Sequence, residues 1–257
     1  MKTYNLSFIS DEDLFNHVKK TIEKYRFKIN LKEFNKNLID PIKLTFDSKV
    51  YSKSMEELIE MESIRQIDKS NSNHIGYFQQ NIFKYIFHKN TKKTNWVLPK
   101  KGFDIVNELD KIYVEMKNKH NTMNSSSSQK TFMRMQSQLL KDSDSHCYLV
   151  EVIAERSQNK IWKVSLDGIS TNHKNIRKVS IDKFYEIVTG EKEAFKQLVE
   201  TLPSVMDDVL KSVQLQNIEN TVYKELQKID HHILKSLYLL SFKNYEGFNH
   251  LNIKNVS

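Results

Sequence analysis

The sequence predicts an α/β fold in which a mixed β-sheet is flanked by helices, with helical regions at both ends of the chain. Three observations predict this class. Apolar residues recur at helical spacing up to about residue 70, alternate with polar residues in the middle of the chain, and return to helical spacing after Ser180. Such a change of period, from helix to strand and back, is typical of helices and strands that share one core.

The composition indicates a folded, basic protein. The chain has 257 residues, of which 39% are hydrophobic, which is too rich for a disordered chain. The formal net charge of +8 favours an anionic partner, most often nucleic acid. Apolar stretches are too short to span a membrane, so no membrane partner is expected. The single cysteine, Cys147, excludes an internal disulfide and any zinc site built on several cysteines.

The N-terminal part predicts helices separated by polar breaks. Ser10 and the acidic residues after it are typical of a helix start. A shorter helix is expected over 34–39, and another begins near Ser54. The polar run 70–74 predicts a loop, and the apolar run 77–87 predicts a helix after it.

The middle of the chain begins with a predicted β-hairpin. Its first strand starts near Phe103, and its second is 112–117, where apolar and polar side chains alternate. A polar bend with four serines at 122–128 then precedes a helix over 129–140.

Two further strands are expected before the C-terminal helices. They are 147–154, which is apolar enough to be buried, and 161–166 with a turn at Asp167–Gly168. Ser180 is a candidate N-cap for the helical region that follows. Gly190 and Pro203 are expected to divide that region into separate helices.

Three charged residues of the hairpin are the candidate catalytic site. Glu115 and Lys117 are two positions apart on a strand and therefore share a face. Pairing of the two strands would bring Asp104 beside them. Two neighbouring carboxylates repel each other unless a cation lies between them, and Mg²⁺ prefers such oxygen ligands. The simpler interpretation, a solvated hairpin face with a cross-strand salt bridge, stays open at this point.

The residues around this site resemble those of a known family. The runs FDIVNELDKIYV (103–114), EMKNKHNTMNSSSSQKTFMRMQ (115–136) and KVSIDKFYEIVTG (178–190) are similar to type II restriction endonucleases of the PD-(D/E)XK superfamily. More narrowly, they resemble the group that cuts GGNCC-type sites. The resemblance covers roughly residues 70–190, and Phe103 stands where the superfamily name has proline.

The resemblance implies a fold, an activity and partners. It implies a single restriction-endonuclease-like domain over 1–257, with a helical region at 1–70, a catalytic core at 71–190 and a helical region at 191–257. It implies Mg²⁺-dependent hydrolysis of both strands of DNA at a short palindrome or interrupted palindrome of the GGNCC-like type, leaving 5′-phosphates. Asp104 and Glu115 would be metal ligands and Lys117 the catalytic lysine.

Several wider expectations follow from this activity. A palindromic substrate implies a homodimer, and a separate cognate methyltransferase would protect the same site. A cytoplasmic location is expected. The alternatives are a DNA repair or recombination nuclease of the same fold, and a non-catalytic DNA-binding module.

Two further sets of residues are candidates for the site. Those expected to bind DNA lie after the catalytic strand or are among the five arginines, and a plain solubility role is the alternative for each. They are Lys119, His120, Asn121, Asn124, Ser125, Lys130, Arg134, Arg156 and Arg177. Upstream helices could add an acidic or amide group, although plain exposed helix residues are the simpler interpretation. These candidates are Glu57, Glu60, Glu62, Gln79 and Gln80.

Overall fold

A computed structural model describes residues 3–37, 39–88, 90–91, 94–248 and 251. The helices of this part are numbered in chain order: α1 (Asp11–Ile22), α2 (Leu31–Phe34), α3 (Pro41–Val50), α4 (Met55–Asn81), α5 (Ser125–Lys141), α6 (Ile181–Thr189), α7 (Ala194–Leu210), α8 (Val222–Ile229) and α9 (Ile233–Phe242). The strands are β1 (Lys28–Ile29), β2 (Ile105–Asn107), β3 (Ile112–Lys119), β4 (His146–Ile153), β5 (Asn159–Leu166), β6 (Ile169–Ser180) and β7 (Glu219–Asn220). No helix of these ranges is both long and apolar enough to cross a membrane.

The chain divides into two units. The first comprises residues 1–23 and 74–214, and the second comprises 24–73 and 215–257. The first unit contains a mixed sheet flanked by helices, which confirms the predicted fold class. The single-domain organisation over 1–257 stays a prediction.

The sheet of the first unit has the strand order β2-β3-β4-β6-β5. Its central strands β3, β4 and β6 are parallel, and the outer strands β2 and β5 pair antiparallel to their neighbours. Parallel central strands need apolar cover on both faces, and helices supply it here. One face carries the larger core, which includes Val114, Met116, Tyr148, Val150 and Val179. The other carries Cys147, Leu149, Trp162 and Ile176, packed against Phe132 and Met135 of α5.

The second unit has a smaller core of its own. Its strands β1 and β7 pair in parallel, with Lys28 opposite Glu219. Helices α2, α3, α8 and α9 and the first part of α4 enclose a cluster that includes Phe34, Ile59 and Leu226.

The predicted hairpin, the buried strand and two helix starts are confirmed. Strands β2 and β3 form the hairpin, and β4 covers the apolar run that contains the buried Cys147. Ser10 caps α1 by accepting the backbone N–H of Asp13. Ser54 and Glu57 satisfy each other's backbone N–H groups at the start of α4, in the manner of a capping box.

Three predictions in the helical regions are wrong. The run 70–74 is not a loop but lies inside α4, because it has neither glycine nor proline to end the helix. The helix expected over 77–87 stops at Asn81 and continues as a short 3₁₀ turn. Pro203 does not divide the C-terminal region, because buried residues keep helical spacing on both sides of it within α7.

Other boundaries shift or were missed. The helix expected over 34–39 is instead α2, which ends at Phe34, and residue 38 lies outside the described residues. Helix α3 was missed: Pro41 occupies its first turn and Asp40 caps it. The serine run does not precede α5 but forms its first turn, capped by Asn124. Strand β6 was missed because its first half, residues 169–175, is rich in polar residues.

Candidate active site

The β2–β3 hairpin places Asp104 beside the strand that carries Glu115 and Lys117. Ile105 pairs with Val114 in the antiparallel register. The backbone N–H of Asp104 donates to the carbonyl oxygen of Val114 at 2.9 Å. The Oδ2 atom of Asp104 accepts the backbone N–H of Met116 at 2.8 Å. The aspartate is therefore anchored to the peptide between the two other candidate residues, as the hairpin predicts.

Glu115 is a buried carboxylate held between two cations. Its side chain is 8% exposed. Oε1 lies 2.7 Å from Nζ of Lys117, and Oε2 lies 3.1 Å from Nη1 of Arg134. Both cations are about one-third exposed, so the group opens to solvent on their side.

Arg134 also joins this carboxylate to the segment before Asp104. Its Nη1 donates to the carbonyl oxygen of Gly102, and its guanidinium lies 5.8 Å from the ring centroid of Phe103. One α5 side chain thus contacts β3 and the segment that leads into β2.

Burial is the main influence on the pKa of the Asp104 carboxyl. It raises the pKa of Asp104 above the ordinary value, and the charge of Glu115 raises that pKa further. The Met116 N–H and the charges of Lys117 and Arg134 act in the opposite direction. The net shift is upward, so a cation beside the two carboxylates would relieve an unfavourable charge.

The two carboxylates suit a hard divalent cation. Mg²⁺ is commonly held by one or two carboxylates, with water and substrate phosphate oxygens as the remaining ligands. The Oδ1 atom of Asp104 accepts no hydrogen bond within the described ranges. Those ranges hold no cluster of three or more His, Cys, Asp or Glu side chains that could bind a metal. The donor set therefore fits a cation that is completed by substrate and water.

A second buried carboxylate on the same face was missed by sequence reasoning. Strands β3 and β4 are parallel, with Lys117 opposite Glu151. Glu151 is 3% exposed and pairs with Lys178 of β6 at 2.9 Å. The signal was available, because Glu151 is an isolated acid inside the apolar run 147–154 of a buried strand.

Most of the predicted DNA-binding residues are exposed beyond the end of β3. Lys119 is the last residue of β3, and α5 starts at Ser125. Arg156 is exposed in the turn between β4 and β5. The other exposed candidates are His120, Asn121, Asn124, Ser125 and Lys130, of which Asn124 is occupied as the N-cap of α5.

Two arginine candidates are already engaged. Arg134 forms an ion pair with Glu115. Arg177 pairs in register with Tyr148, so it lies on the sheet face opposite to Glu115. Its Nε and Nη2 donate to the side chain and the backbone carbonyl of Asn159 at 2.6 and 2.7 Å.

The upstream glutamates have local roles in the second unit. Glu57 takes part in the capping of α4, Glu62 accepts two hydrogen bonds from Arg65, and Glu60 is exposed.

The two glutamines lie in the first unit. Gln80 lines a cavity of about 290 Å³ that Asp104 also lines. The Oε1 atom of Gln79 is buried without a hydrogen-bond partner among the described residues.

The family model of the Eco47II restriction endonuclease matches residues 6–211, well over half of the chain. The chain belongs to the Eco47II restriction endonuclease family. The type II restriction enzyme Sau96I of Staphylococcus aureus is 34% identical over 214 residues, which cover 79% of this chain and 80% of that protein. The type II restriction enzyme Eco47II of Escherichia coli is 30% identical over 217 residues, covering 80% and 88%.

Membership of the Eco47II family confirms the resemblance seen in the sequence. It also confirms the expected enzyme class, a type II restriction endodeoxyribonuclease. The matched range contains the whole hairpin, α5, β4 and β6. All of the candidate catalytic and DNA-binding residues therefore lie within the range that the family model matches.

Proposed function

We propose that this restriction endonuclease cuts both strands of a short, interrupted palindrome of the GGNCC type in a Mg²⁺-dependent reaction that leaves 5′-phosphates. The observation that carries the proposal is the anchoring of Asp104 to the Met116 N–H, between Glu115 and Lys117. The GGNCC specificity rests on the similarity of the sequence to the group of enzymes that cut such sites.

Asp104 and Glu115 would hold the magnesium ion. When bound, the ion supplies charge stabilisation for the phosphate oxygens and lowers the pKa of a coordinated water. The protein contributes the fixed geometry. The backbone anchor holds Asp104, and burial against the sheet holds Glu115 in place.

Lys117 is the residue that faces both the carboxylates and the substrate side. Its Nζ is fixed by Glu115 Oε1, and an ammonium group has three N–H donors. A second donor is available for the attacking water or for a non-bridging phosphate oxygen. Orienting that water in line with the 3′-oxygen places the leaving group opposite the nucleophile, and no covalent intermediate is required.

The DNA would lie along the end of β3 and the start of α5. The candidates at the end of β3 and just after it are all exposed and could reach the backbone beside the cut: Lys119, His120, Asn121, Asn124 and Ser125. The other proposed contacts are Lys130, Arg134 and Arg156. Arg177 lies on the opposite face and is left out of the proposed contact set.

The wider proposals concern assembly and location. A two-fold symmetric substrate cut on both strands is matched by a homodimer that presents one site to each strand. A separate methyltransferase of the same specificity would protect host DNA. The enzyme is proposed to act in the cytoplasm.

Incubation of the purified protein with phage DNA, with and without Mg²⁺, tests the proposal. Discrete fragments whose sequenced ends share a GGNCC-like site and carry 5′-phosphates are expected only with the metal. The Lys117→Met variant serves as the control for contaminating nucleases. Random fragmentation would favour a repair or recombination nuclease, and binding without cleavage would favour a non-catalytic module.

A further inference from the structure

Glu151 is a charged residue that is buried inside the sheet, where its charge is not expected to stabilise the fold. It lies near the C-terminal end of the central strand β4, with a side chain that is 4% exposed. Taking a carboxylate out of water is unfavourable, and replacing a buried ion pair by apolar residues is often neutral or stabilising. Stability alone therefore does not explain why the Glu151–Lys178 pair is present.

The strand registers place this pair next to the candidate catalytic residues. Glu151 lies opposite Lys117, and Lys178 occupies the same cross-strand row as Glu115, with Leu149 between them. Residues in register on parallel strands point to the same face. With neighbouring strands about 4.8 Å apart, the backbones of Glu115 and Lys178 are about 10 Å apart.

Lys178 is partly open to solvent on this face. Its side chain is 24% exposed, and its Nζ lies 2.9 Å from Oε1 of Glu151. Across the described ranges, no second acceptor approaches this ammonium group. Lys160 of β5 lies opposite Lys178 and adds a second positive charge to the row.

The second carboxylate oxygen of Glu151, Oε2, also has a hydrogen-bond partner. Gln158 Nε2 lies 3.4 Å from Oε2 of Glu151. The backbone N–H of Gln158 donates to the hydroxyl of Ser180 at 2.9 Å. The carboxylate is thus fixed by β6 and by the segment before β5, and in turn it fixes the direction of the Lys178 ammonium.

We propose that Glu151 holds Lys178 as a contact for a DNA phosphate close to the scissile one. The inference rests on the proposed function, because it takes Asp104 and Glu115 as the site of cleavage. DNA has one phosphate per roughly 3.4 Å of axis along each strand, so a distance of about 10 Å spans only a few nucleotides. Lys178 binds the phosphate, and Glu151 is a positioning residue that acts through Lys178.

The salt dependence of DNA binding tests the phosphate contact. Lys178→Met alone leaves Glu151 buried and unpaired and is expected to destabilise the fold. The informative comparison is therefore Glu151→Gln against the double variant Glu151→Gln/Lys178→Met, in which no buried charge is left alone. Binding to a GGNCC duplex is measured by fluorescence anisotropy in EDTA, from about 50 to 200 mM KCl.

The double variant should lose one phosphate contact. We expect the slope of log K against log[KCl] to be smaller by about 1 than the slope of Glu151→Gln. Lys196→Met is the matched control, because Lys196 is an exposed lysine of α7 paired with Glu193 and its loss changes the net charge equally. If the double variant and Glu151→Gln have equal slopes, Lys178 does not contact a phosphate. A decrease in slope no larger than that caused by Lys196→Met leads to the same conclusion.

Single-turnover cleavage tests the positioning role of Glu151. Glu151→Gln keeps the positive charge of Lys178, so the salt slope should stay at the wild-type value. The cleavage rate at saturating enzyme should fall by about 10-fold or more, since small displacements of a bound phosphate are costly. A lower melting temperature with unchanged cleavage would identify the pair as structural and overturn the positioning role.

The two proposals fail in different ways. Wild-type protein that does not cut DNA with Mg²⁺ contradicts the proposed function, whereas the salt slopes in EDTA are measured without cleavage. Wild-type protein that cuts, but whose double variant keeps the slope of Glu151→Gln, contradicts this inference alone.

Discussion

Nη1 of Arg134 lies 3.1 Å from Oε2 of Glu115, so a carboxylate proposed to bind metal already has a cation beside it in this structure. The same Nη1 donates to the carbonyl oxygen of Gly102. A bound Mg²⁺ would share Glu115 with this guanidinium, and the two positive charges would repel each other.

We expect Arg134→Met to bind Mn²⁺ or Mg²⁺ more tightly in the absence of DNA. Loss of the guanidinium removes a competing positive charge, while Asp104 keeps its hydrogen bonds to Val114 and Met116. The gain should be up to about tenfold, because the arginine is partly exposed and the interaction is screened. Calorimetric titration measures it. Arg156→Met, which changes the net charge equally, is the control, and equal affinities in both variants would contradict the competition.

Asp104→Asn, Glu115→Gln and Lys117→Met should each slow single-turnover cleavage by at least about 100-fold. DNA binding in EDTA should persist, because none of the three changes removes the exposed contacts after β3. Glu108→Gln serves as the control, since Glu108 is an exposed acid in the same hairpin. Full cleavage by any one of the three variants would remove that residue from the catalytic site.

Asp104→Asn should also stabilise the metal-free protein at neutral pH. The pKa of Asp104 is raised in the fold, so the unfolded chain releases this proton first as pH rises. Stability is therefore lost from the unfolded value, near 3.8, up through the folded pKa, and the full penalty remains above it. The asparagine variant lacks this penalty. We expect the variant to melt a few degrees higher than the wild type at pH 7.

Melting curves at pH 7 and at acid pH check this. The difference between wild type and Asp104→Asn should shrink as the pH falls through and below 3.8, since both states hold the proton only below that value. A difference that is independent of pH would show that the charge of Asp104 is not its cause.

Gly190→Ala should destabilise the fold more than Gly168→Ala. Both glycines have positive φ angles, 76° and 83°, where a side chain costs about 1–2 kcal/mol. A Cβ at Gly190 would also lie 2.7 Å from Nε2 of His88, whereas one at Gly168 meets nothing within 4 Å. Urea denaturation measures both. Equal losses would show that His88 moves aside freely.

The sequence was most informative where structure is local. Asp104, Glu115 and Lys117 lie within one hairpin, so strand alternation and hairpin spacing were enough to bring them together. The helix starts at Ser10 and near Ser54 depend on contacts within one turn of helix and were predicted for the same reason.

Contacts made between distant segments could not be predicted in this way. Arginine is a residue type that often reads bases, and Arg134 was predicted to bind DNA for that reason. Its ion pair with Glu115 could not be predicted, because it depends on how α5 packs against the sheet. The Glu151–Lys178 pair depends on β4 and β6 being neighbours, and β6 itself was missed. The helix through 70–74 shows that serine and asparagine alone do not end a helix that began with a strong cap.

The order of strands has a consequence for synthesis of the enzyme. The three catalytic candidates are complete in the chain by residue 117, yet β3 lies inside the sheet and needs β4 beside it, which is not made until residues 146–153. An isolated two-stranded hairpin is marginal in water. A nascent or prematurely terminated polypeptide that stops before β4 would thus contain every proposed catalytic group while lacking the framework that makes them a nuclease.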